Sequence, residues 1–194
     1  MEVETGFLGT TSVMEALNTL NALCGVNVQR VNVSFRGLAG VPEALAGMES
    51  MTSLKLSWNP IKSGWEHLRP LHQLRQLDLS NWNLTELPKA LVGMESVTSL
   101  NLNENLIMRG WERLRPLRQL RELDILGCGL TEVPAALASM ESLTLLNLSR
   151  NQIEYGWEHL RPLTRLQKLY AAVDEESMPD ALKALTNVTT VPVC

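Results

Sequence analysis

Aromatic residues are scarce: nine of 194, made up of five Trp, two Tyr and two Phe. A core of any size must therefore be aliphatic. No apolar run approaches the ~20 residues that a membrane-spanning helix needs, so no membrane partner is expected. Basic charge is in deficit, with 17 Lys and Arg against 21 Asp and Glu, a net charge of −4 and a pI near 5.4. That balance argues against nucleic acid as a partner. Cysteine is limited to Cys24, Cys128 and Cys194, an odd and scattered set that makes no disulfide framework. Reduced thiols suit the cytosol. Residues Met1 to Gly9 carry acids and no basic n-region, so the reading is cytoplasmic. The alternative is a secreted protein whose leader has been removed. N-x-(S/T) triplets occur at Asn32, Asn83, Asn147 and Asn187, and they read as by-products of the Asn and Ser that recur in the chain rather than as glycosylation sites.

Leucine is abundant: 36 of 194 residues. With 12 Gly and 9 Pro a long coiled coil is disfavoured, which leaves a repeat architecture. Trp65, Trp111 and Trp157 stand 46 residues apart within GWEHLRPL, GWERLRPL and GWEHLRPL. Between them LAGVPEALAGMES, LTELPKALVGMES and LTEVPAALASMES recur. Overlaying the two texts halves the period. A pattern L-x-L-x-x-(N/other)-x-(L/I) starts at Val31, Leu54, Leu77, Leu100, Leu123, Leu146 and Leu169, every step being 23 residues. Of the 36 leucines, 27 occupy its apolar slots and two more, Leu182 and Leu185, fit after a one-residue deletion in the last repeat. Leu106, Leu126 and Leu145 fall outside it.

This pattern resembles the leucine-rich repeat family, over residues 31 to about 191, and its L-P-x-x-L-x-x-(L/M) spacing is similar to the 23-residue repeats of intracellular scaffolds. The resemblance implies an α/β solenoid: a curved parallel sheet on the concave face, with short helices or turns on the convex face. Physically, one 23-residue unit cannot bury its own leucines, whereas stacked neighbours share a core. Residues 1–30 are read as an N-terminal cap. It comprises a helix over 12–24, started by the Ser12/Glu15 capping box and stopped by Gly25, and an edge strand at Val26–Val28. Residues 31–191 hold seven repeats, the last of 22 residues, and 192–194 form a tail. Pro179 to Leu185 reads as a final short helix and Thr189 to Val193 as a last strand. Repeats this alike also fit a designed or consensus-edited sequence.

The two repeat types differ in one slot, which holds Pro42, Pro88 and Pro134 in one type and Trp65, Trp111 and Trp157, each after a Gly, in the other. Packing is the preferred reading of these Trp. The slot after the strand, which resemblance to the family assigns to an Asn that bonds the backbone between turns, holds Asn59, Asn105 and Asn151. Alternating with these are Arg36, Trp82, Cys128 and Asp174. Cys128 is expected to be buried and inert. Trp82 is too large for an asparagine's role, and is expected to bulge its turn or swing toward the concave edge. Arg113, Arg115, Arg118 and Arg121 suggest a basic patch. Their register instead favours a convex ion ladder through Glu49, His72, Glu95, Arg118 and Glu141.

Strand residues alternate in direction, so the residues between the inward leucines face the concave solvent. The central column reads Asn32, Lys55, Asp78, Asn101, Asp124, Asn147, Tyr170, and the strand-exit column Phe35, Trp58, Asn81, Glu104, Gly127, Arg150, Val173. A repeat has no structural need to vary these positions. The candidate partner-binding residues are accordingly Phe35, Lys55, Trp58, Asp78, Asn81, Trp82, Asn101, Glu104, Asp124, Arg150 and Tyr170. Phe35, Trp58 and Trp82 are aromatic anchors among charge. No metal-ligand spacing, phosphate loop or nucleophile elbow is visible, and Asp78 and Asp124 lie about 10 Å apart by strand spacing, too far for a glycosidase pair. The leading expectation is a non-enzymatic scaffold without cofactor that binds a protein partner on the concave face. The alternatives are innate recognition of a microbial surface glycan or lipid by that face, and an enzyme-inhibiting or regulatory module.

Overall fold

The structure is a computed structural model of the chain, and it describes residues 2–4, 22, 27–171, 179–183, 185 and 189–192. The cap helix expected over 12–24, and Ala172, Val173 and Asp174 of the repeat columns, lie outside the described residues.

Among the described residues, nine strands form one parallel sheet in chain order. They are β1 (Glu2–Glu4), β2 (Arg30–Asn32), β3 (Ser53–Lys55), β4 (Gln76–Asp78), β5 (Ser99–Asn101), β6 (Glu122–Asp124), β7 (Leu145–Asn147), β8 (Lys168–Ala171) and β9 (Thr189–Pro192). From β2 to β8 the register places Val31, Leu54, Leu77, Leu100, Leu123, Leu146 and Leu169 side by side. β9 closes the sheet with Thr190 opposite Leu169. At the other edge Val3 pairs with Val31. The neighbour of β2 is therefore the segment at Glu2–Glu4, and residues 27–29 form no strand. The reason is chain length: a parallel neighbour needs a crossover of a dozen or more residues, and Val28 lies only two residues ahead of β2. Val28 is instead fully buried in the core.

Between the strands, the described residues form six 3-10 turns of two kinds. Glu43–Gly47, Lys89–Gly93 and Ala135–Ser139 start after a proline in extended conformation, where the missing N–H costs nothing. Trp65–Leu68, Trp111–Leu114 and Trp157–Leu160 start after Gly64, Gly110 and Gly156, whose φ values are +76°, +88° and +84°. A Cβ on Gly64 would lie 2.5 Å from the Val41 carbonyl oxygen, and one on Gly156 2.9 Å from that of Val133. Those glycines answer to backbone conformation and close approach of the preceding repeat rather than to the bulk of the following Trp. The leucines of strands and turns meet in one continuous core, with Leu54, Leu74, Leu100, Leu120, Leu146 and Leu163 at 0% exposure.

Hydrogen bonding shows why the repeats work in pairs. Asn105 is fully buried. Its Oδ1 accepts from the backbone N–H of Trp82 (3.1 Å) and Leu84 (3.0 Å). Its Nδ2 donates to the carbonyls of Leu79 (3.0 Å) and Leu102 (2.7 Å). Asn59 and Asn151 do the same for their preceding turns. Of the alternate occupants, Trp82 and Cys128 supply only the donor half. Trp82 is buried, and its Nε1–H donates to the Leu56 carbonyl at 2.7 Å, while Cys128 Sγ lies 3.2 Å from the Leu102 carbonyl. Trp82 therefore neither bulges its turn nor reaches the sheet face. Its ring tilts against Trp65, with centroids 5.3 Å apart, so that it packs as core. Desolvation pushes the Cys128 thiol up to about 12, as expected of a buried, inert cysteine.

The expected ion ladder does not form. Glu49, His72, Glu95, Arg118 and Glu141 are all exposed, and no ion pair joins any two of them. Exposed pairs contribute about 0–1 kcal/mol, too little to hold two long side chains in one geometry. The cross-repeat ion pairs on this edge gather on Glu86, which bonds Arg109 at 2.9 Å and also Arg113. Arg113 additionally donates to the Leu87 carbonyl. His67 and His159, at the corresponding positions, place Nδ1 2.8 and 2.9 Å from the carbonyls of Val41 and Val133. A carbonyl only accepts, so Nδ1 carries the proton in both rings.

Candidate functional site

The exposed face of the sheet carries the central and strand-exit columns. Most of the central column has a structural task. Asn32, Asp78, Asn101, Asp124 and Asn147 each turn Oδ1 onto the backbone N–H two residues ahead, at 3.0 to 3.3 Å. These Asx turns satisfy donors that the parallel ladder leaves unpaired as each strand ends. Asp78 accepts a further bond from the Ser80 hydroxyl at 2.7 Å. Burial among its neighbours raises the pKa of Asp124, opposed by bonds from Asn103, Leu126 and Asn147. Lys55 and Tyr170 break the column. Neither can form an Asx turn, and Lys55 is exposed while Tyr170 is half-buried.

The strand-exit column has an unusual backbone. Phe35, Trp58, Asn81, Glu104, Gly127 and Arg150 have φ values of 59°, 57°, 59°, 53°, 62° and 56°. Glycine or asparagine suits this left-handed region, whereas other residues cost roughly 1–2 kcal/mol there. Asn81 and Gly127 fit; Phe35, Trp58, Glu104 and Arg150 do not. Burial offers no compensation, because Phe35 is 58% and Trp58 53% exposed. The two rings stack on each other, with centroids 5.2 Å apart and planes 13° off parallel. Further along, Arg150 reaches over Gly127 to Glu104, Nη1 to Oε1 3.4 Å. A Cβ on Gly127 would lie 3.0 Å from the Glu104 carboxylate, so the glycine leaves room for that bridge.

Of the eleven candidate residues, the structure joins Phe35 with Trp58 and Glu104 with Arg150. It gives Asp78, Asn101 and Asp124 backbone-capping tasks and buries Trp82 away from the face. Sequence reasoning missed a second group. Leu106 and Met108 are 56% and 78% exposed on the loop after β5, beside a groove of about 630 Å³ floored by Trp111 and Cys128. The signal was present, since Leu106 is one of three leucines outside the repeat frame. Among the described residues no cluster of His, Cys, Asp or Glu could hold a metal ion, and no helix is long and apolar enough to cross a membrane.

A single parallel sheet advancing 23 residues per strand, with 3-10 turns opposite and asparagines bonding turn to turn, defines a repeat solenoid. The model of the family described as Leucine Rich Repeat matches residues 73–94. Among solved structures, an internalin (inlF) from Listeria monocytogenes aligns at 21% identity with a TM-score of 0.65, covering 88% of this chain and 55% of that one. Internalin C2 of the same species aligns at 20% identity and a TM-score of 0.68, over 90% and 73% of the two chains. A leucine-rich repeat protein of Leptospira interrogans aligns at 18% identity and a TM-score of 0.62, over 95% and 58%. The chain thus spans 55% of the length of the first of these, and what it shares with all three is the fold. No curated protein matches the sequence. The chain has the leucine-rich repeat fold, and its residues 73–94 match that family's model.

Proposed function

We propose that the chain is a non-enzymatic interaction scaffold that binds a protein partner on the exposed sheet face, in the cytoplasm. The Phe35–Trp58 stack is the anchor, and the observation that carries this reading is its combination of backbone strain and exposure. Both aromatics occupy left-handed positions that asparagine or glycine would fill at lower cost, and both remain more than half exposed. Residues held strained and largely exposed mark functional surfaces, and a stacked, exposed aromatic pair suits a protein hot spot. Glu104 and Arg150 supply a charged rim farther along. A microbial glycan has less support, because the carboxamides and carboxylates of the central column are already engaged with the backbone. The test is capture from lysate by the immobilised chain, with retained proteins quantified by mass spectrometry. A defined set should be retained by the wild type and lost with Trp58→Ala. Retention unchanged by both Trp58→Ala and Phe35→Ala would overturn the reading.

A further inference from the structure

The grooves that open on the strand-exit edge recur with the 46-residue superperiod, and their differences are informative. In the earlier one the Trp82 indole lies on Trp65, and the rim carries Pro60, Lys62 and Asn83. In the later one the counterpart of Trp65 is Trp111, partly buried as Trp65 itself is, and the counterpart of Trp82 is Cys128. The ring contact made to the first tryptophan thus has no equivalent at the second, where a cysteine stands in place of the indole. The rim changes with it. Leu106 stands where Pro60 stood, Met108 where Lys62 stood, and Gly129 where Asn83 stood. The grooves are similar in size, about 630 and 730 Å³, so chemistry rather than volume distinguishes them.

The structure assigns to the later groove a binding site for an aromatic side chain carried by a protein partner, seated on Trp111 between Leu106 and Met108. The occupant is read from the chain itself, which places an aromatic ring against the equivalent tryptophan two repeats earlier. Offset or tilted aromatic pairs are favourable beyond their buried area, and a methionine sulfur adds a further favourable contact to a ring. Leu106 and Met108 are at the same time two of the most exposed large apolar residues described. Contiguous exposed apolar surface rimmed by polar residues marks an interaction site. Exposed Glu132 on the rim favours a basic residue next to the partner's aromatic. This site is on the loop edge and does not depend on the sheet face.

The test uses the full chain, ¹⁵N-labelled, titrated with N-acetyl-L-tryptophanamide and, separately, N-acetyl-L-leucinamide. The expected result is saturable shifts at the amides of Leu106, Met108 and Gly129 and at the Trp111 indole, with the leucine probe at least tenfold weaker. Cys128→Trp, which supplies the missing ring internally, should abolish the response. Met108→Lys introduces the residue that the earlier loop tolerates at a site 78% exposed, so it should fold and bind at least tenfold more weakly. Shifts centred on Phe35 and Trp58, shifts that Met108→Lys leaves intact, or concentration-dependent shifts at these residues without any probe would each overturn the assignment. The last outcome would make a second copy of the chain the occupant.

Discussion

Asn105→Ala should be among the most damaging single substitutions in the chain. The side chain is fully buried and makes two bonds to backbone N–H groups and two short bonds to carbonyls. Alanine leaves the N–H groups of Trp82 and Leu84 without their acceptor in the core. A buried unsatisfied group costs about 1–3 kcal/mol, so the two together cost about 2–6 kcal/mol. That is a large share of the 5–15 kcal/mol typical of a whole domain. Asn101→Ala is the comparison: it is half-buried and loses one bond to the Asn103 N–H, worth about 0.5–1.5 kcal/mol. Urea unfolding followed by circular dichroism gives the free energies, and hydrogen exchange at the Trp82 and Leu84 amides shows where stability is lost. If Asn105→Ala costs less than about 1 kcal/mol and leaves those two amides protected, the asparagine does not tie the turns together.

Three further outcomes follow from the same geometry. Trp82→Phe keeps a ring against Trp65 but removes one of the two donors to the Leu56 carbonyl, which the Asn59 amide still serves, and should lower stability by about 0.5–1.5 kcal/mol in the same unfolding assay. Gly64→Ala places a Cβ 2.5 Å from a backbone oxygen at φ +76° and should destabilise by more than about 1 kcal/mol, whereas Gly93→Ala meets nothing within 4 Å and should stabilise by a few tenths to about 1 kcal/mol; thermal melts separate them. The pKa of Asp124 is raised on folding by desolvation, so the folded state binds its proton more tightly than the unfolded chain and the ionised form is penalised. Its contribution is most favourable at low pH and declines as pH rises through the unfolded and then the folded value. Asp124→Asn keeps the Oδ1 acceptor for Leu126, and should match or exceed wild-type stability at pH 7, with the gap closing as pH falls through the carboxylate range.

The solenoid was legible in the sequence because one force dominates it. Leucines at fixed offsets must all enter a shared core, and a 23-residue period survives substitution among Leu, Ile, Val and Met. The face was harder to read. Variation between Asn and Asp in the central column looked like tuning for a ligand, but both residues present the same Oδ1 to the backbone, so that variation is silent for the Asx turn. Trp82 was misplaced for a related reason. Its slot was recognised as the asparagine slot, but an indole N–H reaching the Leu56 carbonyl replaces only the donor half of the amide, which side-chain size conceals. The left-handed strand-exit column left a trace, Asn81 and Gly127 in one register, yet only backbone angles reveal that Phe35 and Trp58 share the conformation. The ion ladder failed because sequence register brings charges near each other without desolvating them.

The double substitution Phe35→Asn and Trp58→Asn, measured for both stability and partner capture, tests the central claim most directly. It places in both positions the residue that Asn81 already uses at φ 59°. The expected result is folding stability equal to wild type or higher by up to about 1–2 kcal/mol through relief of backbone strain, together with loss of the captured partner set. A fall in stability with capture unchanged would make the aromatic stack a packing feature and remove the basis for placing the binding site on this face.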